Sequence, residues 1–451
     1  MFGKSFQRRR RVASSLFLLS CLCLVASVCL TACAERTAAT PASRALYVST
    51  RGDDARRGET PETALRTINA ALERVRPGTT IFIEQGTYYE QVVMKRGGAP
   101  NLEVTLTSYK GTAIIDGSRE KQTRGGNQNR ALVELRRPYT RLVNLEIVNS
   151  ENTGILLDAD NLTVEGCRIS RAKLHAISTD TSRQNNSRRN ASLIRNIVIK
   201  DNTVSEAVLK GQGYGQAISL IADGFTVSGN TVRDNMTEGI DIWLGATHGE
   251  VVGNTVYNNK STGIYVDGAS YVRIHRNQVY RNRAGIGVSS ENANYDTHDI
   301  WVFNNVAYDN ADSGCFIWDE RSRRGYKGSQ NVLIAHNTLV GNRYAVYLAG
   351  EKNSGEILNN LGYSTGEQVL DNAAQSSFKI HDNVWLARVS GFASTSAKDF
   401  RLTRNSPAID KGVALPSFTD DAGAVFNIDT DFSGYRRPVA AHPDAGAYEY
   451  R

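Results

Sequence analysis

The run Gly239-Ile-Asp-Ile-Trp-Leu244 recurs in altered form as Gly263-Ile-Tyr-Val-Asp267 and again as Gly285-Ile-Gly-Val-Ser289. Each run follows a short apolar segment that contains an Asn: Asn230, Asn254 and Asn277. These Asn residues are 24 and then 23 residues apart. A period in the twenties, built from short alternating apolar runs, is typical of a solenoid whose units stack because none can bury its apolar face alone. We therefore predict an all-β parallel β-helix.

More Asn residues extend this period in both directions: Asn202, Asn305, Asn337 and Asn360. We predict that each Asn occupies a tight turn, where its backbone adopts the left-handed conformation. Stacked coils lie about 4.8 Å apart, which is close enough for the amide of one Asn to bond to the next. These Asn residues are therefore predicted to be structural, and the catalytic residues must lie elsewhere.

The first residues of the chain have the pattern of an export signal. Five basic residues precede an apolar segment, residues 15–30, that is short for a membrane span. The segment ends Leu30-Thr-Ala-Cys33, which resembles the lipobox of bacterial lipoproteins. The resemblance implies a signal peptide over 1–32, lipidation of Cys33, and a membrane contact through this anchor alone, on the outer membrane, the cell surface or in the periplasm. Residues 33–44 are small and polar, as in a flexible tether.

The charge balance argues against a nucleic-acid partner. The whole chain carries 53 basic and 46 acidic residues, but the five basic residues of the signal leave 48 against 46 in the remainder. A nearly neutral chain lacks the basic surface that nucleic-acid binding requires. Beyond Cys33 only Cys167 and Cys315 remain, both at apolar strand positions, and we predict packed thiols for them.

The body of the chain is predicted to begin with a cap. Pro61 and the spacing of Ala64, Leu65, Ile68, Leu72 and Val75 predict an amphipathic helix over 61–75, which would cover the open end of the solenoid. We place the β-helix, including this helix, at 45–385 and a closing segment at 386–451. We expect a monomer.

Two end segments carry a family resemblance. The segment Gly86-Thr-Tyr-Tyr-Glu-Gln-Val92 and its neighbours resemble the N-terminal part of the pectate-lyase-like superfamily of right-handed β-helix proteins. Asn405-Ser-Pro-Ala-Ile-Asp-Lys-Gly412 and Asp444-Ala-Gly-Ala-Tyr-Glu-Tyr450 resemble the closing segment of the same secreted proteins. The resemblance implies a right-handed parallel β-helix. Because proteins of this superfamily commonly act on polysaccharides, it also implies a polysaccharide substrate.

Residues that alternate with the apolar ones along the Gly-containing runs should point outward. They form one row with Asp241, Tyr265, Gly287 and Phe316, and a parallel row with Trp243, Asp267, Ser289 and Trp318. Aromatic rings beside carboxylates suit sugars, which stack on rings and bond to carboxylates through their hydroxyls. We therefore predict substrate-binding roles for Trp243, Tyr265, Phe316 and Trp318. The alternative is that these rings pack beneath a loop.

Basic loops favour an acidic substrate. Insertions with several arginines, including Arg321 and Arg324, follow the same strand in different coils and should lie on one side of the solenoid. We predict that Arg321 and Arg324 bind a polyuronate. A solvated charge run is the simpler explanation for either loop alone.

Glu238-Gly-Ile-Asp241 resembles an element of the calcium-dependent lyases of polysaccharide lyase family nine, and Asp241 takes the place of a calcium-binding Asp. The next coil has Ser261-Thr-Gly-Ile-Tyr265 where that family has three more carboxylates, which leaves Asp241, Glu238 and Asp267 as a weak calcium site. The resemblance implies removal of the C5 proton of a uronic acid. Asp241, Asp267 and, as a base, Lys260 are the catalytic candidates in this region.

A second resemblance lies further along the chain. Tyr295-Asp-Thr-His298-Asp299 resembles the D-P-H motif of mannuronan C5-epimerases, without its proline. The resemblance implies that Asp296 and His298 act at the sugar and that Arg343 binds the carboxylate.

The sequence thus predicts a polysaccharide lyase acting on an acidic polysaccharide, with calcium as the one cofactor that the residues suggest. A C5-epimerase and a non-catalytic carbohydrate-binding or scaffold protein are the alternatives. No nucleotide-binding loop, zinc-ligand spacing or nucleophile elbow appears in the sequence.

Overall fold

The computed structural model describes residues 44–119, 130–179, 193–209, 215–319, 327–372 and 377–451. The chain winds into a right-handed parallel β-solenoid of about eleven coils, each with three strands. The expectation of a right-handed parallel β-helix is confirmed. None of the helices within the described ranges is long and apolar enough to cross a membrane.

We name the three faces by the position of their strands in each coil. The Gly-led face holds the Gly-containing runs, and its eleven strands are Val92–Val93, Ala131–Leu135, Thr153–Leu157, Ile177–Thr179, Ile218–Leu220, Ile240–Trp243, Thr262–Asp267, Ala284–Ser290, Ser313–Asp319, Tyr344–Leu348 and Val369–Asp371.

The leading face holds the strand that follows the Gly-led strand in each coil. Its strands are Arg44–Val48, Thr79–Tyr88, Val104–Asp116, Thr140–Val143, Leu162–Glu165, Ile194–Lys200, Ala222–Ser228, Thr247–Val252, Ser270–His275, Thr297–Phe303, Ser329–Ala335, Ser354–Leu358 and Ser377–His381. The middle face follows the Asn turn, with strands Glu146–Val148, Arg168–Ser170, Thr203–Ser205, Thr231–Arg233, Thr255–Tyr257, Gln278–Tyr280, Val306–Tyr308, Thr338–Asn342, Leu361–Ser364 and Val384–Trp385. The early strands Thr79–Tyr88 and Val104–Asp116 turn the corner between these two faces without a break.

The core fills the space between the three faces. All of the side chains predicted to point inward on the Gly-led face are at most 1% exposed: Ile240, Ile242, Ile264, Val266, Ile286, Val288, Ile317, Val346 and Leu348. Cys167 and Cys315 are free thiols in this core, as expected, and burial raises the pKa of both. Their chemistry is therefore that of packed thiols.

The predicted Asn ladder forms the corner between the leading and middle faces. Each side-chain amide nitrogen donates to the amide oxygen of the next Asn at 2.9–3.0 Å, from Asn202 through Asn360 to Asn383. The left-handed conformation, however, belongs to the residue before each Asn, such as Gly253 with φ 65° and Arg276 with φ 54°. Because the left-handed residue comes immediately before the Asn, the Asn side chain lies in the corner, where its amide bonds to the next Asn of the ladder.

A second Asn ladder, which the sequence reasoning missed, forms the corner between the middle and Gly-led faces. It comprises Asn235, Asn259, Asn282, Asn310 and Asn342. Four of these amides, those of Asn259, Asn282, Asn310 and Asn342, also donate to a backbone carbonyl of the preceding coil, as Asn259 does to Val232 at 3.3 Å. The second ladder fixes where each Gly-led strand begins.

The N-terminal cap is shorter than the single helix expected over 61–75. A 3-10 turn at Pro61–Thr63 is separated from an α-helix at Ile68–Leu72, and Leu65 between them pairs with Val48 through a β-bridge. The bridge holds Leu65 extended, so the helix begins only after Thr67, whose side chain accepts a bond from Ala70. A further 3-10 turn spans Gly117–Arg119.

The C-terminal residues pack against the outside of the leading and middle faces. Their two hairpins are Phe392–Ser394 with Asp399–Leu402, and Phe418–Thr419 with Val425–Phe426. Phe400 contacts Tyr308 of the middle face, and Phe426 contacts Trp301 of the leading face. A buried ion pair between Arg437 and Glu449, 2.9 Å apart, also holds this region. The hairpins thus cover the two faces other than the Gly-led face.

Candidate functional site

The two outward rows predicted on the Gly-led face are present in the strand register. The first runs Ser178, Ser219, Asp241, Tyr265, Gly287, Phe316, Tyr347. The second runs Trp243, Asp267, Ser289, Trp318. Several of these outward side chains are nevertheless buried, among them Ser219 at 1% and Asp241 at 3% exposure. The centre of the rows is therefore a desolvated pocket of polar groups, where we expected an open strip.

Four carboxyl groups meet at this pocket. Asp241 and Asp267 lie on adjacent strands, two positions apart along the strand, so their Cα atoms are about 8 Å apart. Burial raises the pKa of Asp241 well above its ordinary value, and the nearby carboxylates of Glu238, Asp267 and Glu291 raise it further. Burial also raises the pKa of Asp267 to about 7, although the hydrogen bond from the backbone N–H of Glu291 lowers it. Burial therefore favours the protonated form of Asp241, while the pKa of Asp267, about 7, lies near neutral pH.

The loop after Ser290 contributes Glu291, which the sequence reasoning did not select. Its backbone N–H donates to Asp267 Oδ1 at 2.7 Å, and its carboxylate accepts a short hydrogen bond from the Tyr265 hydroxyl. Burial and the charge of Glu291 raise the pKa of Tyr265. One signal was available in the sequence, because Glu291 stands only two residues beyond Ser289 of the second row.

Three buried polar atoms of the two rows around the carboxyl groups have no hydrogen-bond partner among the described residues. They are Asp241 Oδ1 and Ser219 Oγ, on neighbouring strands of the first row, and Trp243 Nε1 in the second row. Leaving a buried polar atom unpaired costs about 1–3 kcal/mol. A ligand that bonds to these atoms would recover this free energy.

The predicted aromatic residues gather beside the carboxyl groups. The rings of Tyr265 and Phe316 stack at 5.8 Å across the strand between them. This is possible because Gly287 lies in that strand, and a Cβ there would stand 2.2 Å from Phe316 Cζ. Trp243 and Trp318 are partly exposed in the second row. The structure thus brings all four predicted aromatics to one face.

The remaining catalytic candidates lie further from this pocket. Lys260 and Arg343 are exposed at the edge where Gly-led strands begin. His298 belongs to the leading face, where it bonds to Asp299 at 2.7 Å and packs edge-on against Tyr271. Asp296, also exposed, pairs with Lys327 at 2.5 Å. Because His298 and Arg343 stand at opposite edges of the Gly-led face, the structure does not bring the expected trio together.

Three predicted functional residues lie outside the described residues. They are Arg321 and Arg324, for which we expected substrate binding, and Cys33, for which we expected lipidation. Their roles stay predictions.

The residues expected to bind calcium lie in and beside the pocket. Glu238, Asp241 and Asp267 are close enough to influence one another. Within the described ranges, however, no three His, Cys, Asp or Glu side chains are arranged to hold a metal ion. The Glu238 carboxylate accepts a hydrogen bond from the Ser261 hydroxyl at 2.7 Å, and burial, which raises the pKa of Asp241, disfavours the ionised form that a cation would need. Among the described residues the donor set does not fit a calcium cage, and the weak calcium site stays a prediction.

The sequence matches two family models. The first, described as the right-handed beta helix region of Pel9A-like proteins, matches residues 46–252. The second, described as a periplasmic copper-binding protein (NosD), matches residues 194–315. Both matches fall within the solenoid.

Two relatives match along most of their length. The uncharacterized protein YwoF of Bacillus subtilis is 27% identical over 454 residues, which cover 87% of this chain and 92% of the relative. The pectate lyase PEL9 of Emericella nidulans is 22% identical over 349 residues, which cover 71% of this chain and 79% of the relative.

A solved structure is similar across the whole solenoid. The crystal structure of pectate lyase Pel9A superposes with a TM-score of 0.56 at 16% identity, covering 90% of this chain and 96% of that one. At this identity the likeness shows the fold. Taken with the Pel9A-like match over residues 46–252, it supports a pectate-lyase-like protein with the right-handed parallel β-helix fold.

Proposed function

We propose that this protein acts on a uronic-acid-containing polysaccharide by β-elimination, with the pocket around Asp241 and Asp267 as its active site. The observation that carries the proposal is the pairing of these two buried carboxyl groups on adjacent strands, beside partly exposed aromatic rings. The similarity to a fungal pectate lyase supports a polysaccharide substrate.

The two carboxyl groups suit two different tasks. Elimination begins with removal of the C5 proton, which is alpha to the carboxylate of the uronic acid. Asp267, with a pKa of about 7, is matched to act as the base. The raised pKa of Asp241 favours its protonated form, which can donate a hydrogen bond to the substrate carboxylate and stabilise the negative charge that develops there. Two carboxyl groups of one site thus act as base and hydrogen-bond donor.

The remaining step is departure of the sugar oxygen at C4. As the C5–H bond breaks, its electron pair forms the C4–C5 double bond and the C4–O4 bond breaks. The leaving oxygen needs a proton, which the hydroxyl of Tyr265 can supply, since Tyr265 stands beside Asp241 in the strand register and its hydroxyl is bonded to Glu291. Because the Tyr265 pKa is raised, the hydroxyl stays protonated until the oxygen departs.

The site of action is proposed to be outside the cytoplasm. The export signal and the lipobox-like Leu30-Thr-Ala-Cys33 support this, as does the description of the second family as periplasmic. Mass spectrometry of the membrane-bound protein would test lipidation of Cys33. A mature chain that begins elsewhere and carries no lipid would contradict it.

The experiment incubates the purified protein with a panel of polyuronates, with and without calcium, and follows the ultraviolet absorbance of the new double bond. We expect absorbance from the wild type, loss of at least about a hundredfold in rate for Asp267→Asn, and no change for Asp429→Asn, an exposed aspartate on the C-terminal residues. Inversion at C5 seen by NMR, without absorbance, would favour the epimerase. Binding without either product would favour a scaffold protein. If Asp241→Ala and Asp267→Asn both kept full activity, the site would lie elsewhere, and His298→Ala would be the next variant to test.

A further inference from the structure

The loop at residues 291–296 lies over the pocket. It begins after Ser290 at the end of a Gly-led strand and ends at Thr297, where the next leading strand begins. Between these points it turns back toward the N-terminal coils, and the backbone N–H of Glu291 donates to Asp267 Oδ1, one coil earlier, at 2.7 Å. We name residues 291–296 the strap. The strap thus contacts the residue proposed as the base.

Separate contacts hold the far end of the strap and its base. The Tyr295 side chain lies over two glycines that follow earlier Gly-led strands. A Cβ at Gly245 would stand 2.9 Å from Tyr295 Cδ1, and a Cβ at Gly268 would stand 2.9 Å from Tyr295 Cβ, so the two glycines leave room for the strap. At the base, the Thr297 hydroxyl donates to the Ser289 carbonyl at 2.6 Å and accepts from the Gly268 N–H at 2.8 Å. Because the base is anchored, the strap can open only by releasing its contacts over the pocket.

The carboxylate of Glu291 engages the hydroxyl that the proposed reaction needs. The Tyr265 hydroxyl carries a single proton and donates it in a short hydrogen bond to Glu291 Oε1. Asp267 is 8% exposed and Ser289 is 0% exposed, although both side chains belong to an outward row. The Ser289 hydroxyl lies 3.4 Å from the same Glu291 oxygen, so the strap covers it. A sugar can therefore reach Asp267 and the Tyr265 proton only after Glu291 has moved.

We propose that Glu291 keeps the strap closed while the pocket is empty, and that the strap opens when an acidic sugar binds. The inference rests on the proposed function and deepens it, because it identifies what must move before Tyr265 can protonate the leaving oxygen. The charge of Glu291 is close enough to Asp241 to raise the pKa of that residue. A sugar carboxylate bound to Asp241 therefore repels the Glu291 carboxylate, and the Tyr265 hydroxyl is released. Glu291 is thus a positioning residue that acts through Tyr265.

The first test needs no sugar, because a cysteine beneath the strap reports its opening. Ser289→Cys places a thiol at a position that a reagent such as N-ethylmaleimide can reach only when the strap is open, while Cys167 and Cys315 are buried in the core. In the full chain carrying Ser289→Cys, Glu291→Ala should speed modification at least about tenfold, since a hydrogen bond to a charged group no longer holds the strap. Glu367→Ala, on an exposed glutamate outside the strap, is the matched control and should not change the rate.

Equilibrium binding separates a closing role for Glu291 from a sugar-binding role. Hexamers of galacturonate and mannuronate are titrated by calorimetry into the full chain carrying Asp267→Asn, which prevents turnover. A protein that must open before it binds has an affinity reduced by the fraction of molecules that are open. In this background Glu291→Ala should therefore tighten binding about tenfold, whereas loss of a residue that binds the sugar would weaken it. Glu367→Ala should leave the affinity unchanged.

A disulfide that fixes the strap gives the complementary test. Gly268→Cys with Tyr295→Cys brings two Cβ atoms to 2.9 Å, and a shift of the strap by about 1 Å reaches the separation of about 3.8 Å that a disulfide requires. In the Asp267→Asn background, oxidation of this pair should weaken hexamer binding at least about tenfold, and reduction should restore it. Each single cysteine variant is the control and should be insensitive to oxidation.

Four results would overturn the inference. They are an unchanged thiol reaction rate in Glu291→Ala, weaker hexamer binding in Glu291→Ala, equal affinity of the oxidised and reduced cysteine pair, and the absence of binding to both hexamers. Failure of the proposed function alone has a different signature. The strap would then open and the hexamers would bind as expected, but the wild type would produce no double bond in any polyuronate.

Discussion

Replacing Asp267 by Asn should make the protein more stable while abolishing its activity. Asp267 is 8% exposed, and its folded-state pKa is about 7 against an ordinary value of 3.8. Each pKa unit corresponds to about 1.4 kcal/mol, so ionising Asp267 in the folded chain costs about 4 kcal/mol more than in the unfolded chain. An Asn carries no charge to desolvate, and its side-chain oxygen can still accept the N–H of Glu291, now 2.7 Å from Asp267 Oδ1.

The raised pKa of Asp267 decides at which pH values the substitution stabilises the protein. Below pH 3.8 the Asp267 carboxyl is protonated in both the folded and the unfolded chain and does not change the free energy of unfolding. The destabilisation caused by ionising it in the folded chain grows as pH rises from 3.8 to about 7. Asp267→Asn should therefore stabilise the protein by about 4 kcal/mol at pH 8 and by less than about 1 kcal/mol at pH 4.

Guanidinium denaturation at the two pH values, followed by tryptophan fluorescence, measures this difference. Asp429→Asn, on an exposed side chain, should leave the midpoint unchanged at both. A gain that is the same at pH 4 and pH 8, or a lower midpoint at pH 8, would refute the electrostatic reasoning behind the proposed base. A stable variant without activity would instead show that the site costs stability, as functional sites often do.

Three further predictions concern the ladder, the ring stack and the C-terminal hairpin. Asn254→Ala leaves several buried backbone and amide groups of adjacent coils without hydrogen-bond partners. Denaturation should therefore show that the free energy of unfolding falls by about 3–5 kcal/mol, against about 1–2 kcal/mol for Asn383→Ala at the half-buried end of the ladder. Gly287→Ala puts a Cβ 2.2 Å from a ring atom, so the stacked rings must separate and calorimetry should show about threefold weaker sugar binding with little change in melting temperature. Burial lowers the pKa of His248, but hydrogen bonds to two carboxylates, one of them Asp421 on the C-terminal hairpin, outweigh this and raise it. Protection of that hairpin against hydrogen exchange, taken relative to the intrinsic rate at each pH, should accordingly fall as pH rises through this raised pKa, and His248→Gln should abolish the fall. Equal pH dependence of the protection in both proteins would contradict the contact.

Much of the fold could be read from the sequence, because a solenoid repeats one local rule. The Asn period and the alternation of Ile240, Ile242 and their counterparts fixed the coil, the inward residues and both outward rows. The family resemblance supplied the handedness. The second ladder was missed because its residues, such as Asn235 and Asn259, read as ordinary polar turn residues until the register aligns them.

The candidate site was only partly readable. Strand alternation predicted that Asp241, Asp267 and the aromatic residues share one face, and the strand register has them there, while their functional roles stay predictions. Their burial was not readable, because it depends on what covers the strand. Glu291 entered the site through a loop that folds back on Asp267. Loop direction is set by contacts distant in sequence, and no local pattern encodes it.

The sequence alone therefore determined the period, the strand faces and the identity of the outward residues, because these depend on spacing along one chain. Only the tertiary structure decided which carboxyl groups lose their water, which of them hold a proton, and that His298 and Arg343 stand at opposite edges of the Gly-led face. The physical reason is that desolvation and charge interactions depend on distances between coils, and a one-dimensional pattern does not contain those distances.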